Sequence, residues 1–163
     1  MKVLITAGPT HEPIDPVRFV GNRSSGKMGI AIAEEFAARG FEVTLVKGPT
    51  DLAPANPQIL QIKVETAQQM YETCAQYFTL NDVIVFAAAV ADYTPKHPSD
   101  IKIKKKEDEF SIEMIKTKDI ALELGKLKRP GQVTVGFALE TDNEMANACG
   151  KLKKKNLDLI VLN

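Results

Sequence analysis

The sequence has no surplus of either charge: 21 lysines and arginines stand against 21 aspartates and glutamates. Proteins that hold DNA or RNA carry a net positive field, so this balance argues against a nucleic-acid partner and leaves local clusters to meet small anions. Cysteine is scarce as well. Cys74 and Cys149 lie far apart, with no Cys-x-x-Cys or Cys-x-His grouping near either, so both read as reduced thiols of a cytoplasmic protein. His11 and His97 stand alone, and no cluster of metal ligands is visible. No apolar run approaches the length that spans a bilayer, and the opening MKVLITAGPT lacks the charged-then-apolar order of a secretory leader. Repeats, low-complexity tracts and linkers are missing too, so residues 1–163 read as a single domain with one core.

What is present is an alternation of strands and helices. Residues 3–7 form a short apolar run closed by a Gly-Pro-Thr turn, which predicts a buried first strand. An irregular stretch follows over 8–25, with prolines at 9, 13 and 16, too long for an ordinary βα loop. From Gly26 the pattern is helical: Met28, Ile32 and Phe36 make one stripe, Gly29 and Ala33 lie beside it, and Gly40 supplies a left-handed stop. Residues 41–46 predict a second strand, and Leu60, Ile62 and Val64 alternate as a third. Thr66 and Gln69 form a capping box that opens a helix to about residue 78. Residues 82–89 are the most apolar run in the chain and predict a central parallel strand buried on both faces.

Beyond that strand, Ile101 and Ile103, then Phe110, Ile112 and Met114, alternate with charged residues around a Lys-Glu-Asp-Glu turn. This predicts a lysine-edged hairpin or flap over about 94–116. Thr117 is placed to cap a helix to about residue 128, followed by a strand over 132–139, a helix over 143–155 and a last strand over 157–162. Such alternation predicts a doubly wound, mostly parallel Rossmann-like α/β sheet with helices on both faces. Ligands then belong at the carboxyl ends of the strands, after Ala7, Ala89 and Leu139. The chain stops at Asn163 just as a strand ends, which reads as a sheet edge lacking a covering tail.

The stretch GNRSSGKMG, residues 21–29, comes within one residue of a Walker phosphate loop, but Met28 stands where that motif needs a hydroxyl for magnesium. It also begins about a dozen residues after the first strand, whereas a true Walker loop follows directly, so a kinase or ATPase is rejected. A dinucleotide fingerprint is missing as well: the first turn is AGPTHEP, and the second strand ends in Val46-Lys47-Gly48 rather than in an acid. A Rossmann-type NAD(P)-dependent reductase or nucleotide-sugar enzyme therefore stands as the alternative. The segment from Arg23 through Ser24, Ser25, Gly26 and Lys27 leads into a helix start, where unpaired N–H groups bind anions. A Ser-capped helix with solvated Lys and Arg fits the same residues.

Several separated stretches carry more information together: ITAGPTHEPIDPVRFVGNRSSGKMG at the start, AAVADY at 88–93, KIKK at 102–105, VGFALET at 135–141 and KKNLDLI at 154–160. In order and spacing they resemble phosphopantothenate–cysteine ligase, and the SSGKMG wording is similar to its bacterial, CTP-dependent branch. The resemblance implies a cytoplasmic enzyme of coenzyme A biosynthesis. It would join cysteine to 4′-phosphopantothenate through an acyl-cytidylate, with CTP as co-substrate and Mg²⁺, and act as a homodimer. It also implies no fused flavin-dependent decarboxylase domain in this chain and a missing C-terminal part, which leaves a non-catalytic, nucleotide-binding family member as a further alternative.

The same resemblance implies roles for residues. Asn22 matches the Asn that holds the acyl intermediate, Arg18 an Arg for the substrate carboxylate or phosphate, and Lys102 the active-site lysine of the flap. Ser24, Ser25, Gly26 and Lys27 serve the phosphopantothenate. Ala87 and Ala88 let the nucleotide approach the central strand, Asp92 and Phe137 match its base contacts, and Lys151 and Lys155 match its phosphate contacts. Asp119 and Ile120 match the second half of an Asn-Pro-Asp-Ile segment that here reads Thr117-Lys118-Asp119-Ile120, a departure that implies a looser backbone. Lys104, Lys105 and His11 receive no role. Each residue also has a plain alternative: an edge-strand lysine for Lys102, a solvated acid for Asp92, a core aromatic for Phe137 and a solvated helix end for Lys151 and Lys155.

Overall fold

A computed structural model describes residues 1–104, 109–139 and 142–162. The first strand, β1 (Lys2–Ala7), sends Val3, Ile5 and Ala7 to one side and Leu4 to the other, and all four are fully buried. Alternation with burial on both faces marks a central parallel strand. Two short strands, β2 (His11–Pro13) and β3 (Phe19–Gly21), then pair antiparallel inside the stretch expected to be irregular. Helix α1 (Lys27–Ala38) and β4 (Glu42–Lys47) follow, then the edge strand β5 (Leu60–Lys63) and helix α2 (Ala67–Phe78). The remaining elements are β6 (Val83–Phe86), β7 (Tyr93–Pro95), β8 (Met114–Lys116), α3 (Ile120–Gly125), β9 (Val133–Ala138), α4 (Glu144–Lys154) and β10 (Leu159–Leu162).

Six of these strands form one parallel sheet in the order β10-β9-β6-β1-β4-β5. The order reverses between β1 and β6, which places the topological switch point beside Ala7 and Ala87. On one face α1 packs Ile30, Ala33 and Ala37 against Val3, Ile5, Val43 and Leu45. On the other, Met70, Cys74 and Phe78 of α2 meet Leu4, Val46 and Ile84, with Ile120 and Leu124 of α3 beside them. Burial pushes the Cys74 thiol up to about 12, so this cysteine is a packing residue and no nucleophile. No described helix is long and apolar enough to cross a membrane.

Three expectations need correction. The buried side of α1 is Gly29, Ile30, Ala33 and Ala37, while Met28 is 53% exposed. Close approach decides this: a Cβ on Gly29 would stand 2.6 Å from the Ala7 Cβ and 2.9 Å from the Thr6 carbonyl oxygen. Small residues therefore face the sheet, and the bulkier stripe sits to the side. Next, the lysine-rich segment does not pair 101–103 with 110–114. The antiparallel ribbon joins β7 to β8, Tyr93–Pro95 with Met114–Lys116, because the backbone of Ile103 is taken by side chains of another loop. The Lys-Glu-Asp-Glu turn, Lys105 included, lies outside the described residues.

The third correction concerns the helix expected from Thr117. Asp119, not Thr117, caps α3 by accepting the Leu122 N–H at 3.1 Å, and the helix ends at Gly125. A Cβ there would lie 2.2 Å from the Lys155 carbonyl oxygen, and beyond it the chain closes in tighter turns, the Leu127 and Lys128 N–H groups donating to the Leu124 and Gly125 carbonyls.

The Thr66 capping box is present in both directions: the Thr66 hydroxyl accepts the Gln69 N–H at 3.2 Å, and the Gln69 side chain accepts the Thr66 N–H at 3.3 Å. Thr66→Ala is expected to cost about 1 kcal/mol, the usual loss for an N-cap hydroxyl, with a matching fall in the urea midpoint. Acid should act on other groups. Arg18 beside Asp15, with the N–H groups of Val17, Ile103 and Arg18, holds that carboxyl far below the usual carboxylate range against the effect of burial. The Lys2 N–H and Arg129 lower Asp82. Burial opposes ionisation of Asp158, but Lys128 and the N–H and hydroxyl of Thr134 outweigh it and lower its pKa too.

A folded-state pKa below the unfolded one contributes stability that is fully present above the unfolded value, starts to fall as pH drops below it, and is gone once pH has fallen through the folded value. Thermal unfolding should therefore be nearly flat down to about pH 5 and drop below about pH 4, near the unfolded carboxylate pKa. Asp15→Asn should make that acid drop shallower.

Candidate functional site

The switch point carries a loop, residues 87–92, that is held from several sides. Thr6 and Thr10, both buried, accept the N–H groups of Ala88 and Ala91 at 3.1 and 3.0 Å through their hydroxyls. The Ala89 N–H donates to the Gly8 carbonyl at 2.9 Å, and the Thr10 N–H returns to the Ala89 carbonyl at 3.3 Å. From the far side Thr117 donates its hydroxyl to the Ala91 carbonyl at 2.6 Å and its N–H to the Asp92 carbonyl at 2.9 Å. The Thr117-Lys118-Asp119-Ile120 segment is thus tied to the loop through Thr117, its first residue. Lys118 is fixed as well, its ammonium 4.5 Å from the centroid of the Tyr71 ring, within cation–π range.

Beside this loop lies an open cavity of about 540 Å³. Asn22 reaches its wall from the end of β3, Ala88 and Asp92 from the pinned loop, and Asp119 and Ile120 from the start of α3. Phe137 of β9 and Lys151 and Lys155 at the end of α4 complete the set of expected residues found there. The Lys155 ammonium forms an ion pair with Asp119 at 3.1 Å while the other carboxylate oxygen of Asp119 caps α3. One acidic side chain therefore links two elements across the cavity. Asn22 is also engaged: its amide nitrogen donates to the Val90 carbonyl at 2.9 Å and lies 3.4 Å from that of Ala89.

The other expected residues lie off this wall. Arg18 directs its guanidinium to the Asp15 carboxylate, with Nε at 3.0 Å, and to the Ile103 carbonyl at 3.0 Å. Asp15 in turn accepts the Ile103 N–H at 3.1 Å. Both backbone groups of the residue after Lys102 are thereby clasped, while Lys102 and Lys104 are exposed. Ala87 packs toward the α1 side of the core. His11 stacks on Phe19 with ring centroids 3.7 Å apart. In the expected phosphate loop, the Ser24 hydroxyl accepts the Gly26 N–H at 3.3 Å and the Ser25 hydroxyl accepts the Lys27 N–H at 3.4 Å. Gly26 adopts φ 74°, a left-handed conformation suited to glycine, and sits against Gly8. Lys105, and Glu140 and Thr141 of the VGFALET stretch, lie outside the described residues.

Sequence reasoning missed part of the wall: Arg23, Thr117 and Lys118 also line the cavity. Arg23 opens the segment that the sequence marks as an anion-binding helix start, with a solvated side chain as the alternative, but nothing in it points to the nucleotide cavity. Thr6 and Thr10, which hold the pinned loop, were marked only by being hydroxyl residues within or beside a fully buried apolar strand. Among the described residues no three or more His, Cys, Asp or Glu side chains come together as a metal cradle.

Comparison with known proteins converges on one family. The profile described as the DNA/pantothenate metabolism flavoprotein C-terminal domain matches residues 1–163. A relative named "Cysteine/Cysteine sulfinic acid decarboxylase", from an unknown prokaryotic organism, is 56% identical over 99% of this chain. The "Coenzyme A biosynthesis bifunctional protein CoaBC" of Haemophilus influenzae is 49% identical over 100% of it. The chain spans only 45% and 40% of the lengths of these two relatives. Among solved structures, the C-terminal domain of a coenzyme A biosynthesis bifunctional protein CoaBC superimposes with a TM-score of 0.87 at 46% identity, covering 99% of this chain and 76% of that one. With the profile matched from end to end, this chain belongs to the DNA/pantothenate metabolism flavoprotein C-terminal domain family, the family of the CoaBC C-terminal domain.

Proposed function

We infer that the chain is a ligase of coenzyme A biosynthesis that joins cysteine to 4′-phosphopantothenate, with CTP activating the carboxylate. The observation that carries this reading is the convergence of Asn22, Asp92, Asp119, Phe137, Lys151 and Lys155, drawn from far-apart stretches of the sequence, on one cavity at the switch point. Its wall combines cations with two carboxylates, a donor set suited to a nucleoside triphosphate. Arg23, Lys118, Lys151 and Lys155 offset the charge of the phosphates. Asp92 accepts from the amino group of cytosine, and the Phe137 ring lies beside the base. Mg²⁺ favours oxygen ligands and keeps one or two carboxylates beside the phosphates. Asp119, beside the Lys155 ammonium on the cavity wall, is the carboxylate that would help hold it, with the triphosphate oxygens as its other ligands, and it would neutralise charge on the triphosphate.

The chemistry proceeds in two steps. The carboxylate of 4′-phosphopantothenate attacks the α-phosphorus of CTP, pyrophosphate leaves, and the amine of cysteine then displaces CMP from the acyl-cytidylate. Asn22 holds the acyl group, and Lys102 meets the α-phosphate as charge builds in the transition state. Arg18, whose guanidinium spans Asp15 and the Ile103 carbonyl, sets the segment that carries Lys102. The phosphate of 4′-phosphopantothenate is received by the Ser24 to Lys27 loop. The active form is proposed as a cytoplasmic homodimer.

The test is product formation from CTP, 4′-phosphopantothenate and cysteine with Mg²⁺, followed as pyrophosphate release, with ATP replacing CTP in a parallel reaction. Release that requires the pantothenate substrate and runs at least about tenfold faster with CTP supports the reading. Equal rates with ATP would refute the CTP assignment, and no release with either nucleotide would refute the ligase itself.

A further inference from the structure

Lys47 is a buried cation that the ligase reading leaves without a task. It ends β4, is 4% exposed, and its pKa is lowered by burial and then by nearby Lys63, with Asp51 opposing. A buried ammonium is costly unless its protons are satisfied, and here two carbonyls do so. The Lys47 Nζ donates to the Thr50 carbonyl at 3.2 Å and to the Leu52 carbonyl. The turn over residues 48–52 is thereby folded back over the end of its own strand. The turn tightens further, because the Leu52 N–H donates to the Thr50 hydroxyl oxygen at 3.3 Å.

That turn ends at the phosphate loop. The Thr50 hydroxyl donates to the Ser25 carbonyl at 2.7 Å. The Thr50 methyl would stand 3.3 Å from a Cβ on Gly26 and 3.5 Å from one on Gly8, so both glycines are packed beneath it. Ser25 and Gly26 are therefore fixed from the side opposite their own helix. α1 has no side-chain N-cap bond to do this, since its cap is Gly26. In the trans peptide that carries the Ser25 carbonyl, the Gly26 N–H points the opposite way, away from Thr50, and donates to the Ser24 hydroxyl at 3.3 Å.

We propose that Lys47 and Thr50 are positioning residues that set the Ser24 to Lys27 loop for the phosphate group of the acid substrate. This rests on the ligase reading and deepens it, by assigning recognition of that phosphate to a chain of contacts running from a buried lysine through a threonine hydroxyl. The effect is expected to be selective, because from this stretch only Asn22 and Arg23 reach the nucleotide cavity, whose wall otherwise comes mainly from the other half of the sheet, β6, β9 and their following segments.

The test uses the whole chain and steady-state kinetics with each substrate varied in turn. Thr50→Val removes the hydroxyl at nearly constant volume and should raise KM for 4′-phosphopantothenate about tenfold, the order of one lost hydrogen bond. kcat and KM for CTP should stay within about twofold, and Thr50→Ser, which keeps the hydroxyl, should recover KM to within about twofold of the wild type. Lys47→Met should repeat the effect; if it fails to fold, the two Thr50 variants decide alone. A general structural defect would reduce the active fraction without this selective rise. An unchanged KM in Thr50→Val, equal rises for all substrates, or Thr50→Ser behaving like Thr50→Val would overturn the proposal while leaving the ligase reading standing. A wild-type chain without turnover would overturn both.

Discussion

Asn22→Ala is expected to lower kcat for product formation by about 10²- to 10³-fold, the loss typical of removing one donor aimed at a reacting centre. The side chain sits at the cavity wall, and its amide nitrogen holds the Val90 carbonyl at 2.9 Å. Alanine therefore removes both the group facing the substrate and the tie between β3 and the pinned loop. The structural share is small. One hydrogen bond at an exposed site is worth about 1 kcal/mol, and the loop keeps its bonds to Thr6, Thr10 and Thr117. Stopped assays for kcat, run beside a thermal melt, separate the two contributions. A melt nearly unchanged with kcat reduced at least about a hundredfold is the expected pair. A melt lowered in step with kcat would make Asn22 a structural residue only.

Gly48→Ala should have the largest effect on folding. The new Cβ would lie 1.7 Å from the Pro9 carbonyl oxygen and 2.9 Å from its carbon. Both are backbone atoms, so no side chain can swing aside, and the ends of β1 and β4 would have to separate. The Gly48 N–H bond to the Ala7 carbonyl, 2.9 Å in the native chain, would go with them. The expected cost exceeds about 3 kcal/mol, beyond the usual range for overpacking and a large part of the stability of an ordinary domain. Gly150→Ala is the matched control: it lies in α4 with open space around its Cβ. There helix propensity decides, and a gain of about 0.8–1 kcal/mol is expected. Urea midpoints that move in opposite directions in the two variants would bear out the steric account, whereas a native-like midpoint for Gly48→Ala would sink it.

Where the sequence pattern is long, the fold could be read from it. The central run at 82–89 contains β6, and the Thr66 capping box opens α2 as its spacing implies. The alternation of elements also predicts the parallel, doubly wound sheet, whose observed order is of the Rossmann type. Short or tertiary features escaped. β2, β3, β7 and β8 are three residues each, too short for any period to show, and α1 turned small residues rather than large ones to the sheet. In the site, residues that line one cavity come from stretches more than a hundred positions apart, such as Asn22 and Lys155, and no local pattern links them. The resemblance to a known family supplied that grouping. The contacts of Lys47 were invisible for a different reason: its partners are backbone carbonyls, which leave no mark in the sequence.

Mass spectrometry of a single incubation is the shortest route to testing whether the proposed ligase passes through an acyl-cytidylate. The purified chain is mixed with CTP, Mg²⁺ and 4′-phosphopantothenate in the absence of cysteine, and cysteine is added afterwards. The account predicts a species with the mass of 4′-phosphopantothenoyl-cytidylate that accumulates first and then disappears as CMP and the cysteine adduct form together. Formation of the adduct with no such intermediate, or its formation without consumption of CTP, would contradict it.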